Sequence, residues 1–244
     1  MEPTPAAVLS RSVKWSVPQG WIGAGIAESD FGTAPSVVAA LQEAVSAQSL
    51  TYLPQSVATA ASQACASFLA ARHGWSVPAD RVHLVPDVLT ALRIVLRRFV
   101  PAGAPVVVPT PAYMPFLAVP GQEGHPVIEL PCERDATGRW TLDLDGLARA
   151  FREQGAGLLV LCNPHNPLGQ VLTTAEMAAV RDVVDRAGAR VFSDEIHAPV
   201  VYPGGRHVPY ASLDPVTARH TVTATSISKG WNAPGLKCAQ VVLS

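Results

Sequence analysis

The chain has 244 residues, enough for one large α/β domain or one and a half ordinary domains. An apolar fraction of 48% against 15% charged residues describes a well-filled globular core and argues against extensive disorder; a net charge of −1 excludes the broad basic field that would hold nucleic acid or an anionic membrane. No apolar run approaches the ~20 residues that cross a bilayer, and the opening residues lack a signal-peptide apolar stretch. The expected ligand is therefore a small molecule and the expected address is the cytoplasm.

Residues 1 to 30 read as an irregular arm containing Trp15 and Trp21. Residues 35 to 48 and 56 to 73 read as two amphipathic helices, the second ending at Gly74. From about residue 82, short β-branched runs alternate with helix-period stretches, the pattern of a mostly parallel sheet covered by helices. Seven strands are expected, at 82 to 85, 105 to 109, 126 to 130, 157 to 162, 189 to 193, 221 to 225 and 239 to 243. Between them, Leu89, Leu92, Val95, Leu96 and Phe99 share one helical face, and Met177, Val180, Val183, Val184 and Ala187 share another. Thr173 with Glu176 can form a capping box for that second helix, and Gly188 stands where it should stop. Cys65, Cys132, Cys162 and Cys238 are far apart, with neither a C-x-x-C pair nor histidines at metal-ligand spacing, and read as reduced and mostly buried. The chain ends at Ser244 directly after an apolar strand, which leads us to expect a truncated reading frame.

Three segments follow strands and carry most of the chemical information: C-N-P-H-N-P-L-G (Cys162 to Gly169), S-D-E-I-H (Ser193 to His197) and S-I-S-K-G-W-N-A-P-G-L-K (Ser226 to Lys237). In an open α/β sheet, ligands bind beyond the carboxyl ends of the strands, where all three segments fall. Taken singly, each has a plain structural reading: Asp194 as a helix cap, His197 as a core histidine, Lys229 as a solvated charge, Tyr113 as a core tyrosine. Their order and shared position favour a site.

In these segments the chain resembles the fold type I pyridoxal 5′-phosphate (PLP) enzymes, the aspartate aminotransferase superfamily, over essentially its whole length. Within it the sequence is most similar to the MalY/PatB group of cystathionine β-lyases, through His165 in N-P-H-N-P, His197 in D-E-I-H, A-E-S-D-F (Ala27 to Phe31) and R-H-G-W (Arg72 to Trp75). The resemblance implies a PLP-binding α/β large domain over 51 to 244. It also implies a small-domain contribution from the arm and helix at 1 to 50, and absence of the C-terminal small domain. Lys229 matches the residue that anchors PLP covalently and then acts as general base, Asp194 the carboxylate that keeps the ring nitrogen protonated, and Asn166 the donor to the ring's phenolic oxygen. Tyr113 matches the aromatic residue stacked on the ring. His197 stands where aminotransferases carry a tyrosine, and His165 either reaches the site or hydrogen-bonds backbone.

For the phosphate, the resemblance points to backbone N–H groups of Val88 and Leu89, the Ser226 hydroxyl and the Lys237 ammonium. Tyr52 resembles the tyrosine that reaches the neighbouring subunit's phosphate, which implies a homodimer. Two departures stand out. Asp87 replaces the family's glycine before the phosphate-binding helix and is expected to cap that helix. No residue here can inherit the substrate-gripping arginine of the small domain. The implied reaction is β-elimination from cystathionine or cysteine to pyruvate, ammonia and a thiol; an aminotransferase, or an inactive or regulatory PLP-binding fragment, remain the alternatives.

Overall fold

The computed structural model describes residues 12–244; residues 1 to 11 of the expected arm lie outside the described part. Two helices, α1 (Pro35–Ser46) and α2 (Gln55–His73), precede the sheet, and Gly74 closes α2 in the left-handed conformation that a residue without Cβ adopts readily. Seven strands then form one sheet: β1 (Val82–Val85), β2 (Val106–Thr110), β3 (Val127–Pro131), β6 (Leu158–Cys162), β7 (Arg190–Asp194), β8 (Thr221–Ser226) and β9 (Ala239–Leu243). Their spatial order is β1-β9-β8-β7-β6-β2-β3. A separate two-stranded ribbon of β4 (Glu133–Arg134) and β5 (Trp140–Thr141) was not expected from the sequence.

All pairings from β3 across to β8 are parallel, whereas β9 runs antiparallel to both β8 and β1. The sheet is thus mostly parallel, as the sequence pattern implies. Strands expected from 105 and 126 begin one residue later, because Pro105 and Pro126 have no N–H to give a ladder.

Helices α3 (Val88–Phe99) and α4 (Pro115–Gln122) cover one face of the sheet; α5 (Leu144–Gln154) and α6 (Thr174–Ala187) cover the other. The two-residue period of a strand divides the core between these layers. In β6, Leu158, Val160 and Cys162 pack beneath α3, while Leu159 and Leu161 pack beneath α5 and α6. The capping box of Thr173 and Glu176 forms, and Gly188 ends α6.

Several expectations need correction. Phe99 is 37% exposed, because the chain turns extended at Val100, which takes the buried place instead. Ala187 is exposed in the last turn of α6. Only Cys162 among the four free cysteines is buried. Helix α1 buries no residue, so its apolar stripe faces outward, whereas α2 buries Leu69 and His73 and packs Leu69, with the half-buried Cys65 and Ala66, against Val82 and Val242. Two further short helices, α7 (Pro215–His220) and α8 (Ile227–Gly230), flank β8. Among the described residues no helix is long and apolar enough to cross a membrane.

The contrast along α3 gives a direct check. Leu92 has no exposed surface, whereas Ile94 is 40% exposed. Leu92→Ala is expected to cost about 2 to 5 kcal/mol through lost burial and a residual cavity. Ile94→Ala should cost less than about 1 kcal/mol, both measured by urea denaturation.

Candidate active site

The parallel strands β2, β6, β7 and β8 point their carboxyl ends the same way, so the loops that follow them converge on one edge of the sheet. There they enclose a cleft of about 760 Å³. Lys229, Asp194, Asn166, Tyr113, His197, Lys237, Val88 and Leu89 all line it. Each comes from a different local device: Asp194 ends β7, Asn166 lies in the loop after β6, Lys229 sits in α8 directly after β8, and Val88 and Leu89 open α3.

Asp194 lies at the cleft but is only 5% exposed. Its carboxyl accepts from the Ile196 N–H at 3.1 Å and from the Cys162 thiol at 3.9 Å, neither of which carries a positive charge. Burial pushes its pKa up to about 7; the Ile196 N–H and, more remotely, Lys229 oppose that rise, and the Glu195 charge adds to it. Lys229 is held at the cleft by a 3.0 Å hydrogen bond from its Nζ to the Ala27 carbonyl. Burial draws its pKa below the ordinary lysine value, against the pull of Glu28 and Asp194. The His197 pKa is likewise drawn below the ordinary histidine value, by burial first and by Lys229 second. Tyr113 stands edge-on to Phe116, with ring centroids 5.3 Å apart.

Two expected residues do not line the cleft. Ser226 is the last residue of β8, and its hydroxyl is spent there: Oγ donates to the Cys238 carbonyl at 2.7 Å and accepts from the Ser228 N–H at 3.1 Å. Ser228, two residues on, brings the hydroxyl that lines the cleft, 2.6 Å from Ser226 Oγ. Tyr52 is 98% exposed in the segment between α1 and α2. His165 also lies outside the main cleft, in neighbouring cavities, and burial lowers its pKa to about 4.

Asp87 caps α3, accepting from the Thr90 N–H and hydroxyl at 2.8 Å each, and it also takes a 3.1 Å ion pair from Lys237. The sequence reading missed the arm segment from Ala24 to Ala27, which closes one side of the cleft. It also missed the support behind Asp194. Glu195 points away from the cleft into the protein, where it accepts from Ser193 Oγ, the Tyr210 N–H and His207 Nε2, each at 2.9 Å. The letters D-E in S-D-E-I-H were a usable signal, since successive strand-end residues face opposite sides. As a set, the cleft offers a buried carboxyl suited to a cation, an amine of lowered pKa, and a helix start with a lysine suited to an anion. Among the described residues no cluster of histidine, cysteine or carboxylate side chains could hold a metal ion.

A family profile described as aminotransferase class I and II matches residues 19–244. The cystathionine beta-lyase of Corynebacterium glutamicum is 37% identical over 96% of this chain and 61% of its own length. The cystathionine beta-lyase PatB of Bacillus subtilis is 29% identical, again over 96% of this chain and 61% of its own length. A solved structure from Corynebacterium diphtheriae, described as a PLP-dependent beta-cystathionase, superposes with a TM-score of 0.89 at 36% identity, covering 99% of this chain and 63% of that one. The chain therefore spans about 60% of the length of the curated relatives it matches.

The raised pKa of Asp194 has a measurable consequence for stability. An aspartate titrates near pH 3.9 when unfolded, so the native state here binds its proton more tightly. That contribution to stability is fully present below about pH 4 and is lost as pH rises through about 7. Without added ligands, urea denaturation should show the wild-type chain losing stability from pH 4 to pH 7 relative to Asp194→Asn. Parallel pH profiles for the two proteins would show that Asp194 is not the buried acid described.

Proposed function

Because the chain belongs to the class I and II aminotransferase family, we propose that its cleft holds PLP on Lys229 and that the whole protein cleaves the carbon–sulfur bond of cystathionine- or cysteine-type amino acids by β-elimination. The observation that carries the cofactor reading is Asp194, a buried carboxyl with no cation among its hydrogen-bond partners. A protonated pyridine nitrogen is a flat cation of the kind that would relieve it. The rest of the donor set fits the other parts of the molecule. The Lys229 amine suits the aldehyde and the Tyr113 ring a face of the pyridine. The N–H groups of Val88 and Leu89, which have no acceptor within α3, suit the phosphate together with Ser228 and Lys237.

When bound, PLP accepts the electron pair released as the substrate's Cα–H bond breaks. The chain's own residues supply proton handling and position. Lys229, with a pKa below the ordinary lysine value, is the base that takes the Cα proton. Asp194 keeps the ring nitrogen protonated, and the Asn166 amide donates to the phenolic oxygen. His197 adjoins the same part of the cleft, with a pKa below the ordinary histidine value. With the β-thiolate lost and taking up a proton as the free thiol, hydrolysis of the three-carbon remainder by one water would give pyruvate and ammonia. The lyase reading over transamination rests on the relatives whose names say cystathionine beta-lyase.

In this reading residues 51 to 244 are the cofactor domain, and the arm with α1 belongs to a smaller unit, consistent with a helix that buries nothing here. The active unit is a cytoplasmic homodimer, with the exposed Tyr52 directed to a second copy.

Borohydride treatment of the PLP-treated chain should leave a cofactor adduct on the peptide containing Lys229. Lys229→Ala should remove it without loss of the circular dichroism spectrum; an adduct on another lysine would overturn the assignment. The whole protein, given cystathionine without a keto-acid acceptor, should release pyruvate and a thiol. Strict dependence on the acceptor would instead identify an aminotransferase.

A further inference from the structure

The ion pair between Asp87 and Lys237 bears on how firmly the cleft holds an anion. Both oxygens of Asp87 are engaged: Oδ1 accepts from the Thr90 N–H and hydroxyl at 2.8 Å each, and Oδ2 accepts from Lys237 Nζ at 3.1 Å. Burial alone would raise the Asp87 pKa, but the two Thr90 donors and Lys237 outweigh it and hold the group below the usual carboxylate range. Asp87 is therefore an anion at neutral pH. It stands directly before Val88 and Leu89 at the start of α3, with Lys237 across the cleft wall. The other ionisable groups lining the cleft are Lys229, bonded to the Ala27 carbonyl, Asp194, which ends β7 on the sheet, His197 and Tyr113. At the mouth of α3, one carboxylate thus cancels one ammonium.

We propose that Asp87 is an affinity-setting residue that competes with the cofactor's phosphate for Lys237. The inference rests on the reading that the cleft binds PLP. A phosphate dianion drawn to the first N–H groups of α3 meets a lysine already neutralised and a carboxylate of its own sign. Its charge consequently adds less to binding than the same helix start and lysine would give without Asp87. The effect is modest, because the two side chains are 38% and 65% exposed and such pairs are screened by water and salt.

The test separates charge from capping. Asparagine caps a helix as well as aspartate does, so Asp87→Asn keeps the Thr90 contacts and removes only the charge. Equilibrium binding to the wild-type and variant chains is measured with PLP, with pyridoxal, which lacks the phosphate, and with inorganic phosphate as competitor. At low salt, Asp87→Asn should bind PLP at least ~3-fold tighter, with a smaller gain at about 0.2 M salt and no change for pyridoxal. The inhibition constant of inorganic phosphate, fitted with each chain's own PLP affinity, should fall in the variant by a similar factor. Unchanged PLP affinity in a folded variant, or an equal gain for pyridoxal, would overturn the proposal. Asp87→Ser, which caps without charge, should reproduce the gain and serves if the asparagine variant fails to fold. A wild-type chain that takes up PLP on Lys229 while the variants gain nothing refutes this inference alone; a wild-type chain that takes up none refutes the cofactor reading as well.

Discussion

The carboxyl of Asp194 is the constraint around which the site is arranged. It ends β7, a strand paired on both sides, whose Val191 and Phe192 have no exposed surface. A group at that position cannot swing into water, so its ionised form is penalised and its pKa rises to about 7. Either the acid stays neutral or a cation comes to it. The neighbouring strand β6 ends level with it, β8 continues past it to Ser226, and the segments that leave these strands carry Asn166 and Lys229. Parallel pairing thus turns three distant stretches of sequence into one wall of donors and acceptors, with the buried acid at its centre.

Support for that acid comes from the other side of the same strand end. Glu195 is almost fully buried, yet each carboxylate oxygen has a donor: Ser193 Oγ and the Tyr210 N–H on Oε1, His207 Nε2 on Oε2. A carboxylate held from three directions fixes its own backbone, and that backbone is Asp194's neighbour. The Glu195 charge also raises the Asp194 pKa. Adjacent acidic residues therefore divide the work, one anchoring the strand end and the other facing the cleft.

The sheet was legible because its strands are β-branched runs separated by turn residues, and because proline marks two of the starts. Helix α5 was missed although it carries clear punctuation: Asp143 caps it through the Gly146 N–H, and Gly155 closes it in the left-handed conformation. The ribbon of β4 and β5 has two residues per strand, too few for any period to show. At the site, strand-end position marked the three segments, and the resemblance to the PLP enzymes singled out Lys229, Asp194 and Asn166 within them; all three line the cleft. The choice between Ser226 and Ser228 was not legible, since it depends on where β8 stops. Ser226 is still paired with Ala239 in the ladder, so its hydroxyl turns to the backbone, whereas Ser228 has entered α8. Likewise the outward face of α1 was visible as an amphipathic stripe, but nothing in a local pattern says what it packs against.

The arm shows why some of the site could only be read in three dimensions. Asn232, three residues after Lys229, adopts the left-handed conformation that asparagine tolerates better than most residues. From there its side chain brackets Ser29, accepting from the Ser29 N–H at 2.9 Å and donating to the Ser29 carbonyl at 3.1 Å. Thr33 and Ala34 add bonds to the Asn232 and Trp231 carbonyls. The segment that carries the Lys229 amine and the segment that closes the cleft are therefore one hydrogen-bonded unit, although about 200 residues separate them. Lys229 points its Nζ to the Ala27 carbonyl within that same unit. The arm thus supplies both the acceptor of the amine and one wall of the cleft around it, in a setting whose burial lowers the pKa of Lys229.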